Sequence, residues 1–156
     1  FARMDDIPWD HRRSPKGRYD NRRRDLSLAL GGIRNAGVPA GGHPFDLQIR
    51  RAAPGTLLCP YHSHVTQWEL FVFLDGRGTV RTPEGNRAVG PGDVVLHPPG
   101  CPHQTIVAAD SELECLIIAD NPPADVFHYP DSNKWGLLTP GKFFRMTEVD
   151  YFDGEE

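Results

Sequence analysis

The sequence predicts an all-β domain, a sandwich or barrel of short strands, and three observations carry that expectation. Sixteen glycines and fifteen prolines fall between short apolar runs instead of clustering in one tract, as happens when strands are joined by tight turns. Turn signals recur about every 8–12 residues through the middle of the chain, the spacing of a sandwich or barrel. That stretch contains no long helical apolar period. With 156 residues a single core is expected, because a chain of this length buries about 70% of its unfolded surface without staples.

Taken in order, residues 1–25 carry Arg12, Arg13, Lys16, Arg18, Arg22, Arg23 and Arg24 with few apolar residues, and read as an irregular basic N-terminal arm. The first strand signal is Phe45-Asp46-Leu47-Gln48-Ile49-Arg50, where apolar and polar residues alternate with period two. After the Ala53-Pro54-Gly55 turn come Thr56-Leu57-Leu58 and the run Leu70-Phe71-Val72-Phe73-Leu74. That run is apolar on both faces and belongs centrally in a sheet. Asp75-Gly76-Arg77-Gly78 turns into Thr79-Val80-Arg81, and a second hairpin-like turn at Pro83-Glu84-Gly85-Asn86 leads through Pro91-Gly92-Asp93 to Val94-Val95-Leu96. The stiff Pro98-Pro99-Gly100 corner precedes two more strands, 103–108 and 113–118. The barrel is thus expected over 26–120. From 121 to 156 the chain is irregular and aromatic and reads as a tail packed on the barrel or on a second subunit.

Composition narrows the function. A formal net charge of −4 argues against a nucleic-acid or membrane binder, and the basic arm lacks the interleaved aromatic residues of a base-stacking platform. No apolar stretch approaches the roughly 20 residues needed to span a bilayer. Three cysteines, Cys59, Cys101 and Cys115, are an odd number at no repeated spacing, which favours a reducing, cytoplasmic setting over a disulfide framework.

The chemistry gathers around three histidines and a glutamate. His62-Ser63-His64 places two imidazoles on the same side of a strand, so one cation can touch both. Glu69 lies five positions beyond His64, an odd separation that requires a turn or bulge in Val65-Thr66-Gln67 if it is to join them. With that break Glu69, Phe71 and Phe73 share the inward face, and a carboxylate heading an apolar row needs a partner. His103 follows the Pro-Pro-Gly corner and can return a third imidazole from another strand. Three neutral imidazoles and one carboxylate suit one divalent transition metal (iron, manganese, cobalt, nickel, copper or zinc) better than calcium or magnesium.

The stretch Gly55-(six residues)-His62-x-His64-(four)-Glu69-(six)-Gly76 resembles the first motif of the cupin superfamily. Gly92-(five)-Pro98-x-Gly100-(two)-His103 is similar to the second. The resemblance implies an antiparallel jelly-roll barrel with His62, His64, Glu69 and His103 as metal ligands. Two positions depart from the pattern: one extra residue separates Gly55 from His62, and Val107 stands where the family usually carries an asparagine. The tail segment Phe127-His128-Tyr129-Pro130-Asp131-Ser132 is similar to a Tyr-Pro-Asp stretch of small single-barrel cupins, some of them sugar-isomerase-like.

Four protein ligands leave about two positions of an octahedral ion for water, dioxygen or substrate. The expected function is therefore an enzyme acting on a small oxygen-rich metabolite by Lewis-acid isomerisation, decarboxylation or dioxygenation, an isomerase, lyase or oxidoreductase. The rival is a non-catalytic, metal-dependent binding or sensing module. His97 and Tyr61 are the candidate proton-transfer groups, and Gln67 and Arg51 the candidate substrate contacts. A homodimer is expected from the apolar residues on both faces of 70–74.

Overall fold

The computed structural model describes residues 1–34, 36–138 and 141–156. Its strands are β1 (Asp10–Arg13), β2 (Asp20–Asp25), β3 (Phe45–Ala52), β4 (Ser63–His64), β5 (Glu69–Gly76), β6 (Gly78–Thr82), β7 (Gly85–Val89), β8 (Val94–His97), β9 (Gln104–Val107), β10 (Leu113–Asp120), β11 (Val126–Tyr129), β12 (Lys134–Leu137) and β13 (Lys142–Phe144). The one α-helical turn among the described residues is α1 (Leu26–Ala29), capped by the Asp25 carboxylate accepting from the Leu28 N–H. The architecture is nearly all-β and antiparallel throughout.

One sheet runs β1-β2-β3-β10-β5-β8, a second β7-β6-β9, and a third β13-β12-β11-β4. Between the first two lies the core of Phe71, Phe73, Leu58, Leu113, Val80 and Cys115, each 2% exposed or less. The run 70–74 sits inside the large sheet as expected, with β10 on one side and β8 on the other. Thr56-Leu57-Leu58 makes only an isolated bridge, Leu57 to Ile106. At the β5–β6 corner Gly76 has φ +80°, and a Cβ there would run into the backbone carbonyl of Glu112. Only glycine meets both demands.

Two segments carry more order than the sequence suggests. The basic stretch 1–25, read as irregular, forms the β1–β2 hairpin, and β2 extends the large sheet by pairing with β3. Its arginines find carboxylates both within the hairpin and across the sheet: Arg23 Nη2 lies 2.7 Å from Asp10 and Arg22 Nη2 3.2 Å from Glu112. Ion pairing of this kind leaves no apolar period in the sequence to announce it. The tail also forms strands, and β11 pairs directly with β4, Phe127 opposite His64.

The faces of β3 are reversed relative to a simple reading of its apolar row. Phe45, Leu47 and Ile49 look away from the barrel, and Leu47 lines a small apolar hollow with Met4, Ile7, Leu26 and Leu30. The opposite row holds Arg50 and Ala52, which pair across the sheet with Cys115 and Leu113, both fully buried. Because side chains alternate, a choice of face moves every residue of the strand at once.

Candidate metal centre

The two sequence motifs meet through the backbone. His62 and His103 exchange hydrogen bonds, His62 N–H to His103 O at 3.1 Å and His103 N–H to His62 O at 2.8 Å. β4 ends at His64, the chain turns through 65–68, and β5 opens at Glu69. That is the break which the odd spacing demands, and it brings the carboxylate to the imidazoles' side. One ligand atom each of His62, His64 and Glu69 lies within 4.8 Å of the others. His103 joins them with Nε2 2.9 Å from Glu69 Oε2.

Every imidazole is held at its other nitrogen. His62 Nδ1 is 2.8 Å from Pro60 O and His103 Nδ1 is 3.1 Å from Cys101 O. A carbonyl only accepts, so both Nδ1 atoms donate, and both Nε2 lone pairs face the centre. His64 Nδ1 is 2.6 Å from Asp125 Oδ2, and its Nε2 is buried without a hydrogen-bond partner. Asp125 is itself fixed, its Oδ1 accepting from the Thr66 N–H at 2.8 Å, the Thr66 hydroxyl at 2.9 Å and the Gln67 N–H at 3.3 Å.

These residues fit a metal ion. Ligand atoms about 2.1 Å from one ion lie about 3.0 Å apart at right angles and about 4.2 Å apart when opposed. Glu69 Oε2 lies 2.9, 3.4 and 4.0 Å from the Nε2 atoms of His103, His64 and His62. Lone pairs converging on a buried carboxylate at those distances repel unless a cation or protons lie between them.

The electrostatics agree. Burial pushes His62 down to about 4, which keeps it a neutral ligand. Burial also acts to lower His64, but the hydrogen bond to Asp125 and the nearby Glu69 carboxylate, 3.4 Å from Nε2, outweigh it and raise the imidazole to about 9. Burial would raise Glu69; contacts with His103 and His64 outweigh that too and hold the carboxylate well below its ordinary range.

The four residues expected around the centre are distributed differently. His97 comes closest: it pairs with Glu69 across β5 and β8, and its ring stacks on His103 at 3.8 Å and 7°. It is 2% exposed, its Nε2 has no partner, and burial and then the neighbouring His103 push it down to about 3. It also lines a cavity of about 520 Å³ with Val80, Thr82, Val95 and Cys101. The other three are not brought to the ligands. Tyr61 lies under the Arg81 guanidinium at 3.9 Å, and Arg81 in turn forks onto Asp131 at 2.7 and 2.9 Å. The Gln67 amide donates to Asp120 O at 2.6 Å and holds the turn. Arg51, on the outward row, donates to Glu114 at 2.7 Å and lies over Trp9; the inward arginine is Arg50.

Sequence reasoning missed Asp125, 61 residues from His64. A lone acid between Pro122-Pro123-Ala124 and Val126-Phe127 was its one signal. The tail also supplies two rings to the site: Phe127 stands edge-on to His64 at 5.0 Å, and Tyr129 stacks on His62 at 5.8 Å.

A family profile described as "Cupin domain" matches residues 48–119. No curated protein sequence matches the chain. Among solved structures, a candidate sugar phosphate isomerase from Acidithiobacillus ferrooxidans is similar with a TM-score of 0.77 at 20% identity, over 94% of this chain and 90% of that one. A cupin-superfamily protein described as a sugar phosphate isomerase, from Silicibacter pomeroyi, scores 0.76 at 20% identity over 96% of both chains. A protein of Thermotoga maritima described as a predicted oxalate decarboxylase scores 0.60 at 15% identity, covering 78% of this chain and 99% of that one. Matched in sequence over residues 48–119, the stretch that carries all four candidate ligands, and in fold over nearly its whole length, the chain carries a cupin domain and is an antiparallel jelly-roll barrel.

Proposed function

We propose that the protein is a metal-dependent enzyme acting on a small oxygen-rich metabolite, with His62, His64, Glu69 and His103 as ligands of one divalent transition metal. The observation that carries this reading is the convergence of Nε2 atoms from three imidazoles, each tied down at Nδ1, on one carboxylate oxygen. A bound metal supplies Lewis-acid polarisation of a carbonyl, carboxylate or hydroxyl oxygen. The chain does the rest. Pro60 O, Cys101 O and Asp125 keep the imidazoles from turning, while Phe127 and Tyr129 cover one side and limit water. Asp125 also makes His64 a stronger donor by accepting its Nδ1 proton. His97, neutral and stacked on His103, acts as a positioning residue for that ligand.

The names of the two structures similar over nearly the full length make interconversion of sugar phosphates the first reaction to test. Decarboxylation is the second. Elemental analysis of the purified protein is expected to find about one transition metal per chain, with most of it lost in His64→Ala and Glu69→Ala while the circular dichroism spectrum is retained. Full metal content in either variant refutes the ligand assignment. Incubation with aldose and ketose phosphates then separates enzyme from binding module: products support the first, and a thermal shift without products the second.

The working unit in this reading is a homodimer. On the outer face of the large sheet Leu116, Val72 and Val94 stand side by side, as do Ile118, Leu70 and Leu96. Val94 is 59% and Leu96 54% exposed, and a two-fold copy of the same face would cover both rows. The three free cysteines support a reducing compartment. No helix among the described residues is long and apolar enough to cross a membrane.

A further inference from the structure

A second pocket lies on the β1–β2–β3 side of the barrel. Its volume is about 280 Å³, and Asn21, Leu58 and Cys59 line it together with Arg12, Arg13 and Arg50. Ser14, Tyr19 and Pro60 complete it, Pro60 being the residue whose carbonyl holds His62.

The charges there do not balance. Arg12 is matched by Asp10 at 3.3 Å and Arg13 by Asp20 at 3.3 Å. Arg23, on the neighbouring strand opposite Arg50, is taken by Asp10 at 2.7 Å. Arg50 is left with a neutral partner, its Nε donating to Gln48 Oε1 at 3.0 Å, and among the described residues no carboxylate lies within ion-pair distance of it. Burial and the like charges of Arg34, Arg12 and Arg50 lower Arg23, so cations are crowded on this wall. Asn21 adds a second deficit: it is 7% exposed, its Nδ2 donates to Leu58 O at 3.3 Å, and its Oδ1 is buried with no donor.

A pocket with an uncompensated guanidinium fork and an unmet buried acceptor calls for a ligand that is anionic and also carries a hydroxyl. We propose that this pocket binds the phosphate or carboxylate end of a hydroxylated substrate, with Arg50 gripping the anion and Asn21 Oδ1 accepting from a hydroxyl. The assignment of the ligand as substrate rests on the metal-enzyme reading above. Arg50 bends along β3 to Gln48, which lies two strands across and two residues along from Glu69, about 12 Å by strand geometry.

Calorimetric titration of the full chain with inorganic phosphate and with glycerate tests the proposal, each run on metal-loaded protein and on protein stripped by a chelator. Saturable binding is expected in the millimolar range or tighter, surviving metal removal for at least one probe, and the stronger of the two identifies the anion preferred. Arg50→Gln should weaken it at least tenfold and Arg50→Lys, which keeps charge and stem but loses the fork, at least threefold. Arg81→Gln, outside the pocket, should leave it unchanged. Binding by both Arg50 variants at the parent's affinity, or binding of both probes lost when the metal is stripped, overturns the site. Failure of the metal reading appears separately, as parent protein without metal, and leaves the stripped-protein titration interpretable.

Discussion

Replacing Asp125 with asparagine tests the centre in two opposed ways at once. Asp125 is 3% exposed and sits 2.6 Å from His64 Nδ1. Losing such a supporting carboxylate typically weakens metal binding 10- to 100-fold, about 1.4–2.7 kcal/mol. Yet the same carboxylate, with Glu69, raises His64 to about 9 against the opposing effect of burial, so at pH 7 the metal-free protein holds a proton that the metal must displace. Two pH units of proton competition cost about 2.7 kcal/mol, a factor of about 100. The sign follows: affinity in the parent protein should fall about tenfold per unit as pH drops from 9 to 7. In Asp125→Asn His64 moves back toward its ordinary value, so the fall should be much shallower. The variant should therefore bind 10- to 100-fold more weakly at pH 9 and approach the parent at pH 7. Competition for Zn²⁺ with a chromophoric chelator between pH 6.5 and 9 reads both curves. Parallel pH profiles, or equal affinity at pH 9, would show that Asp125 does not act through His64.

Three further outcomes are expected. Phe73→Ala, which empties a site 1% exposed at the centre of the core, should cost about 3–5 kcal/mol in urea unfolding; a loss below 1 kcal/mol would mean that the barrel interior is not packed as described. Gly76→Ala meets both a positive φ and the Glu112 carbonyl, so it should lower the melting temperature by more than a surface glycine such as Gly92, where a Cβ has open space. Equal shifts at the two positions would remove the steric argument. Leu96→Asp, placed in the apolar rows of the outer face, should convert the proposed dimer to monomer in sedimentation velocity, and an unchanged sedimentation coefficient would refute an interface on this face.

The barrel and the cluster of candidate ligands were legible in the chain because their signals are local. Period-two alternation, Gly-Pro punctuation and the His62-x-His64 spacing each follow from strand geometry, and the odd interval to Glu69 implied the turn found at 65–68. What the sequence could not supply was orientation and distant partnership. Arg50 and Arg51 are adjacent, and only the packing of α1 and the N-terminal residues over Leu47 decides that Arg51 faces Glu114 and Trp9 while Arg50 faces the pocket. Asp125 reaches His64 because β11 pairs with β4 in one register, a contact paid for by tertiary packing and unmarked by any local period. Alternation along a strand is set by covalent geometry and can be read from residues, but which face is inside, and which remote carboxylate is buried beside an imidazole, depends on what the rest of the chain covers.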